Sequence, residues 1–216
     1  MIKTVYLDLD GPVLDGKHRH YRCYSDILLQ FGYKPMKLEQ YWEMKRLRQD
    51  RTKQLAVSGA TGIYNQFLSL WLERIEEKKY LELDCLQPMV HEMLTLWNFN
   101  NIRVILVTMR NNQDNLLWQL DRLALSPLFG DIIAVGSHES CEGKSEAVRN
   151  IVKATKSHQE LWIGDTEIDL RASRSLDIPI CLLSCGLRDR EYLNSLKPDF
   201  LLPDLASINI FRIQNI

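Results

Sequence analysis

The chain has 216 residues, 45% of them hydrophobic and 25% charged, enough to bury a sizeable core in one domain or in one domain carrying a large insertion. Its 27 basic and 28 acidic side chains leave a net charge of -1, so no global field favours nucleic acid or an anionic membrane, and no apolar run approaches bilayer-spanning length. The five cysteines, Cys23, Cys85, Cys141, Cys181 and Cys185, are odd in number and form no C-x-x-C pair, which argues against a disulfide framework or a zinc site and suits a reducing cytoplasm.

The first element is an apolar strand, Thr4-Val5-Tyr6-Leu7, that runs into Asp8-Leu9-Asp10 and is broken by Gly11-Pro12. Two carboxylates one residue apart at a strand's carboxyl end stand where open parallel sheets bind ligands, because loops leave the strands there and helix N-termini point into the crevice. The turn would let both acids serve one site. An acidic turn that merely caps a strand would look the same locally. A calcium loop is excluded, since the third acid and the late Glu of an EF-hand are missing. The strand begins so close to Met1 that no apolar signal-peptide core is expected.

After Asp15 the character changes for roughly seventy residues, longer than a crossover requires. Apolar residues recur at helical spacing over Tyr21 to Phe31, Leu38 to Leu47 and Ile63 to Ile75, the last with a stripe of Ile63, Phe67, Leu70 or Trp71, and Arg74 or Ile75. The segment reads as a small helical module. Its aromatics, Tyr24, Tyr41, Trp42, Tyr64 and Trp71, could stack on a base, but core packing is their ordinary use.

From Leu86-Gln87-Pro88 onward strands and helices alternate. Pro88 opens a predicted helix to about Trp97. Strands are expected over Arg103–Val107, Asp131–Val135, Glu160–Ile163, Pro179–Leu183 and Phe200–Leu202, and helices over Gln113–Leu123, Lys144–Ala154 and Ile168–Leu176. This alternation implies right-handed β-α-β units and a doubly wound α/β fold, a parallel sheet covered on both faces, with a helical insertion after strand one.

Each later strand delivers a polar residue to the edge that carries Asp8 and Asp10. The second ends in Val107-Thr108-Met109-Arg110-Asn111, where the Thr108 hydroxyl and the amides after it could hold a phosphate oxygen; a threonine capping the next turn reads identically. The third is followed by Gly143-Lys144-Ser145. The earlier glycine of a P-loop falls at His138, so that motif fails. A lysine at a helix N-terminus opposes the macrodipole, and an anion nearby would explain it, although a solvated lysine would also serve. The fourth delivers Gly164-Asp165-Thr166-Glu167-Ile168-Asp169, whose acids could cap a helix or hold a metal, Asp165 directly and Asp169 in support.

In this order, Asp-x-Asp-Gly, then Thr, then Lys, then Gly-Asp-x-x-x-Asp, the set resembles the haloacid dehalogenase-like hydrolase superfamily, in particular its phosphoglycolate phosphatase-like branch with a helical cap. The resemblance extends into Ser184-Cys185-Gly186-Leu187-Arg188 and Lys197-Pro198-Asp199, while the insertion matches only in length and helical character. It implies a Rossmann-like catalytic core over residues 1–15 and 87–216 and a cap over 16–86. Pro12 departs from the usual threonine and removes no carboxylate. Asp177 stands where a glycine often ends the helix, a left-handed position that aspartate tolerates.

The resemblance also implies an activity: a Mg²⁺-dependent phosphatase, monomeric or homodimeric, acting on a small phosphorylated metabolite, with no nucleic acid or membrane partner. Asp8 would be the nucleophile and Asp10 the alternating acid and base. Mg²⁺ would be held by Asp8, the Asp10 carbonyl and Asp165, with Asp169 behind; Thr108, Met109, Arg110 and Lys144 would bind the phosphoryl group. Dehalogenases expel halide and generally lack the second acid, so Asp10 favours a phosphatase. The cap would close over the site, with Lys17, His18, Arg19, His20 and the cluster Lys45, Arg46, Arg48, Arg51 and Lys53 as candidate substrate-facing groups, unless the cluster is simply a solvated face. Two alternatives stay open: a phosphotransferase such as a sugar-phosphate mutase, and a non-catalytic binding protein.

Overall fold

A computed structural model describes residues 1–136, 141–151 and 159–211, with backbone only at 141, 142 and 151. The chain divides into two compact units, Met1–Asp15 with Leu86–Ile216, and Gly16–Cys85.

Strand β1 (Thr4–Leu7) opens the first unit, and the chain then enters the second, built from α1 (Lys17–Gln30), α2 (Leu38–Arg46), α3 (Arg51–Val57), α4 (Tyr64–Arg74) and α5 (Lys78–Leu81). Its core is aromatic: Tyr24 stacks on Tyr41 at 4.6 Å and Phe67 on Trp71 at 5.8 Å. Tyr24, Tyr41, Phe67 and Trp71 are all buried, which settles their use as packing. Helix α1 starts four residues before the expected Tyr21 because its charged first turn hides an inward residue. Arg19 is 2% exposed and pairs with Asp84 at 2.9 Å, so it is a structural cation and not the substrate-facing group expected of it. The α3 and α5 helices escape prediction since four to seven residues show too little of a stripe; Asp50, the N-cap of α3, accepts from the Lys53 N–H.

On its return the chain forms α6 (Val90–Phe99), β2 (Arg103–Met109), α7 (Gln113–Arg122), β3 (Asp131–Val135), α8 (Cys141–Ile151), β4 (Glu160–Gly164), α9 (Glu167–Ser175), β5 (Ile180–Leu183), α10 (Arg190–Ser195) and β6 (Phe200–Leu202). The strands make one parallel sheet in the order β3-β2-β1-β4-β5-β6, the doubly wound arrangement. Side-chain alternation covers both faces. Val5, Leu7, Val104, Leu106, Leu161 and Ile163 pack with Val90, Leu94 and Trp97 of α6 and Leu116 and Leu120 of α7. Tyr6, Ile105, Val107, Trp162, Ile180 and Leu182 pack with Val148 of α8 and Ala172 of α9.

In this unit two more boundaries differ from expectation with identifiable causes. Pro88 does not open α6, because Met89 takes a left-handed conformation, φ 61°, and the helix starts at Val90. Helix α8 begins at Cys141, which puts Gly143-Lys144-Ser145 inside its first turns; the expected end at Ala154 lies outside the described residues. Asp177 is left-handed at φ 56°, and the Asp177 and Ile178 N–H groups donate to Arg174 O and Ser173 O, a Schellman close that aspartate tolerates. No helix among the described residues is long and apolar enough to cross a membrane.

Candidate functional site

The strand order reverses at β1, with β2 on one side and β4 on the other, and ligands of such sheets lie at this switch point, beyond the carboxyl ends. Leu7 is level with Leu106 and Ile163, so Asp8, Thr108 and Asp165 all emerge at that edge. The Asp8 N–H still donates to Ile163 O at 3.0 Å, which ties the first residue past β1 to the sheet. Its side chain shares the period of Tyr6 and faces α8.

Lys144 approaches from α8 and is 2% exposed. Its ammonium lies 3.1 Å from Asp8 Oδ2 and 2.8 Å from Asp169 Oδ1. The anion that a lysine in the first turns of a helix calls for is therefore present twice. Asp169, on α9, is held further: its Oδ2 accepts from the Thr166 hydroxyl at 2.7 Å, the Thr166 N–H at 3.2 Å and the Asp165 N–H at 3.3 Å. Asp169 is the anchor of the β4-α9 turn as well as Lys144's partner.

Asp165 differs. Its Oδ2 accepts from the Leu187 N–H at 2.5 Å, but its Oδ1 is buried with no hydrogen-bond partner among the described residues. Two glycines make room for this carboxylate: a Cβ on Gly11, whose φ is 107°, would come within 2.1 Å of Asp165 Oδ2, and one on Gly186 within 2.0 Å. The Thr108 hydroxyl is also buried without a partner among the described residues. Such atoms cost free energy unless something completes them.

The charges are unbalanced. Ligand atoms of Asp8, Asp165 and Asp169 lie within 4.8 Å of one another, and all three residues are buried. Burial pushes the Asp8 carboxyl up to about 7, with the Asp169 and Asp10 charges adding to it and Lys144 opposing. Burial, then the Asp8 and Asp169 charges, raise Asp165 well above the usual carboxylate range. Burial would raise Asp169 too, but Lys144 and the Thr166 hydroxyl outweigh it and hold that carboxyl low. Burial works against the Lys144 ammonium, and the two aspartates overcome it and raise its affinity for the proton. Three carboxylates on one ammonium leave a deficit of two positive charges, and the open donors are hard oxygens. That donor set fits a divalent cation such as Mg²⁺.

Asp10 keeps its carboxylate outside this trio. Arg110 grips it with two parallel bonds, Nε to Oδ2 at 2.9 Å and Nη2 to Oδ1 at 2.8 Å. Met109 is the last residue of β2, level with Val135 of β3, and is half-buried. Of the expected residues, Asp8, Asp165 and Asp169 cluster together, Lys144 pairs with Asp8 and Asp169, Thr108 shares their edge, and Arg110 faces Asp10. Sequence reasoning gave no part to Leu187, Gly186 or the Glu167–Arg188 ion pair, bidentate at 2.9 and 3.0 Å, which fastens the loop after β5 beside Asp165. The Gly186-Leu187-Arg188 run past a strand end was the available signal.

A sequence profile of the haloacid dehalogenase-like hydrolases matches residues 2–177. A search of curated proteins finds no match. Among solved structures, the chain is similar to a haloacid dehalogenase-like family hydrolase from Streptococcus pneumoniae, with TM-score 0.76 at 15% identity over 95% of each chain. A predicted phosphatase from Clostridium acetobutylicum gives 0.73 at 15% identity, again over 95% of each chain. A predicted phosphoglycolate phosphatase from Haemophilus somnus gives 0.69 at 16% identity over 95% of each. At these identities the structural likeness is one of fold.

Proposed function

The chain belongs to the haloacid dehalogenase-like hydrolase family, and from that premise we propose that it is a Mg²⁺-dependent phosphatase acting on a small phosphorylated metabolite through a phospho-aspartyl intermediate. The observation that carries this reading is the charge deficit at the switch point: three clustered buried carboxylates with one ammonium among them, at the same sheet edge as a buried hydroxyl without a partner among the described residues.

In this reading an Asp8 oxygen attacks phosphorus, the phosphorus bond to the ester oxygen breaks, and the departing oxygen takes a proton from Asp10. Water then attacks the phosphoryl group, gives a proton back to Asp10 and frees Asp8. Lys144 neutralises charge on the transferring group without leaving Asp169, whose bonds to Thr166 and Asp165 hold the ammonium in place. The Thr108 hydroxyl donates to a phosphoryl oxygen. Asp8 and Asp165 would hold Mg²⁺ with the Asp10 carbonyl, Asp169 supporting, and the ion would offset repulsion between carboxylate and phosphate. The helical unit takes the part of a cap that selects among leaving groups.

Purified protein with Mg²⁺ is expected to release inorganic phosphate from para-nitrophenyl phosphate, and Asp8→Asn to lower that rate by at least about 10⁴-fold. An active Asp8→Asn enzyme would remove the nucleophile assignment. Silence of the Mg²⁺-loaded wild type across a broad panel of phosphorylated metabolites would remove the activity itself.

A further inference from the structure

We propose that Arg110 is a positioning residue for proton transfer: its guanidinium clamps the Asp10 carboxylate in the pose from which that group serves the leaving oxygen, and Gln119 braces the guanidinium. This rests on the phosphatase reading of the same site.

Asp10 lies past the end of β1, in a turn that contains the left-handed Gly11. A side chain on a turn has rotamer freedom that proton transfer cannot tolerate, since a misplacement of about 1 Å can cost on the order of 100-fold in rate. The fork from Arg110 removes that freedom. Two parallel N–H···O bonds define the plane as well as the distance of the carboxylate, which a lysine in the same place could not do. The fork comes from the end of β2, the strand beside β1, so the rigid sheet supports it.

Burial separates this role from that of a phosphate ligand. The Arg110 side chain is 2% exposed while that of Asp10 is 20% exposed, so the carboxylate stands on the open side and the guanidinium behind it. Each carboxylate oxygen carries two lone pairs, so the fork does not by itself use up the capacity of the group to take the proton in transit. Behind Arg110, Nη2 also donates to Gln119 Oε1 at 3.4 Å. Gln119 is fully buried on α7, next to Leu120 and three residues after Leu116, an expensive place for an amide without a polar neighbour to serve.

The test follows single turnovers with enzyme in excess and Mg²⁺ present, comparing para-nitrophenyl phosphate, whose leaving group needs little protonation, with phenethyl phosphate, whose leaving alkoxide needs it fully. Arg110→Met is expected to slow the alkyl ester by about 100-fold and the aryl ester far less. In an Asp10→Asn background the same change should add almost nothing on the alkyl ester. Gln119→Leu, which keeps the fork, should show the same ester selectivity at smaller amplitude, and it carries the test if Arg110→Met does not fold. Equal losses on both esters, with KM raised on both, would make Arg110 a phosphate ligand and overturn the clamp. A wild type that cleaves neither ester would sink the phosphatase reading and this inference with it.

Discussion

The two units bury charge in opposite ways. In the helical unit charge taken out of water finds a partner: buried Arg19 meets Asp84, and the half-buried Arg51 guanidinium lies 4.5 Å from the Trp71 ring centre and 5.5 Å from that of Phe67. At the switch point of the sheet it is not matched, since Asp8 and Asp169 share Lys144 while Asp165 crowds the same cluster, and burial and the neighbouring charges raise the pKa of Asp8 and Asp165. Matched burial is architecture. Unmatched burial is stable only if a ligand completes it, and it therefore marks where a ligand belongs.

The hardest way to break this contrast is to remove the shared cation. Lys144→Met leaves two buried aspartates facing each other with their hydrogen bonds to the ammonium gone. Turnover should fall by about 10²- to 10³-fold, the scale of a lost transition-state electrostatic contact. In chelator the protein should lose about 3–5 kcal/mol, read from the urea midpoint. A variant as stable as wild type would mean that the cluster is not short of positive charge.

A milder test titrates the deficit. The folded-state pKa values of Asp8 and Asp165 are raised above their unfolded ones, so their contribution to stability is fully present below about pH 4 and is lost as pH rises, for Asp8 through about 7. Metal-free protein should accordingly weaken between about pH 5.5 and about pH 8. At the proposed site Mg²⁺ would compete with those protons, so the Tm gain on adding it should be larger at about pH 8 than at about pH 5.5, by about 5 °C. A gain independent of pH would show that the ion sits on other groups.

The contrast also separates what could be read from the sequence and what could not. Strands announce themselves through apolar runs, and the first polar residue after each run is placed by backbone direction alone, which is why Asp8, Thr108 and Asp165 were visible. Lys144 was visible as an electrostatic anomaly, a cation on the wrong end of a helix. The Arg110 fork was not, because it joins residues 100 apart and depends on how far a long side chain can reach from one strand to the next. Nor was the space for Asp165, since nothing in Gly186 itself says which side chain needs the room. In the helical unit Arg19 misled for a related reason: a basic residue in a polar stretch reads as exposed until its partner, Asp84, is brought to it by the fold.

The smallest effect is expected from the same substitution in the other unit. Burial lowers the Arg51 pKa, and the ring faces of Trp71 and Phe67 are what hold the cation there. Arg51→Met exchanges that attraction for apolar contact of similar length, so it should cost about 1 kcal/mol, a Tm change of about 2–4 °C. The loss should be independent of Mg²⁺ and of pH between about 5.5 and about 8, because among the described residues no carboxylate pairs with the guanidinium and would be left behind to titrate. If instead Arg51→Met matched Lys144→Met in its stability loss, or if Mg²⁺ changed the size of that loss, the helical unit would also be carrying unmatched charge, and the distinction between the two regions would fail at its architectural end.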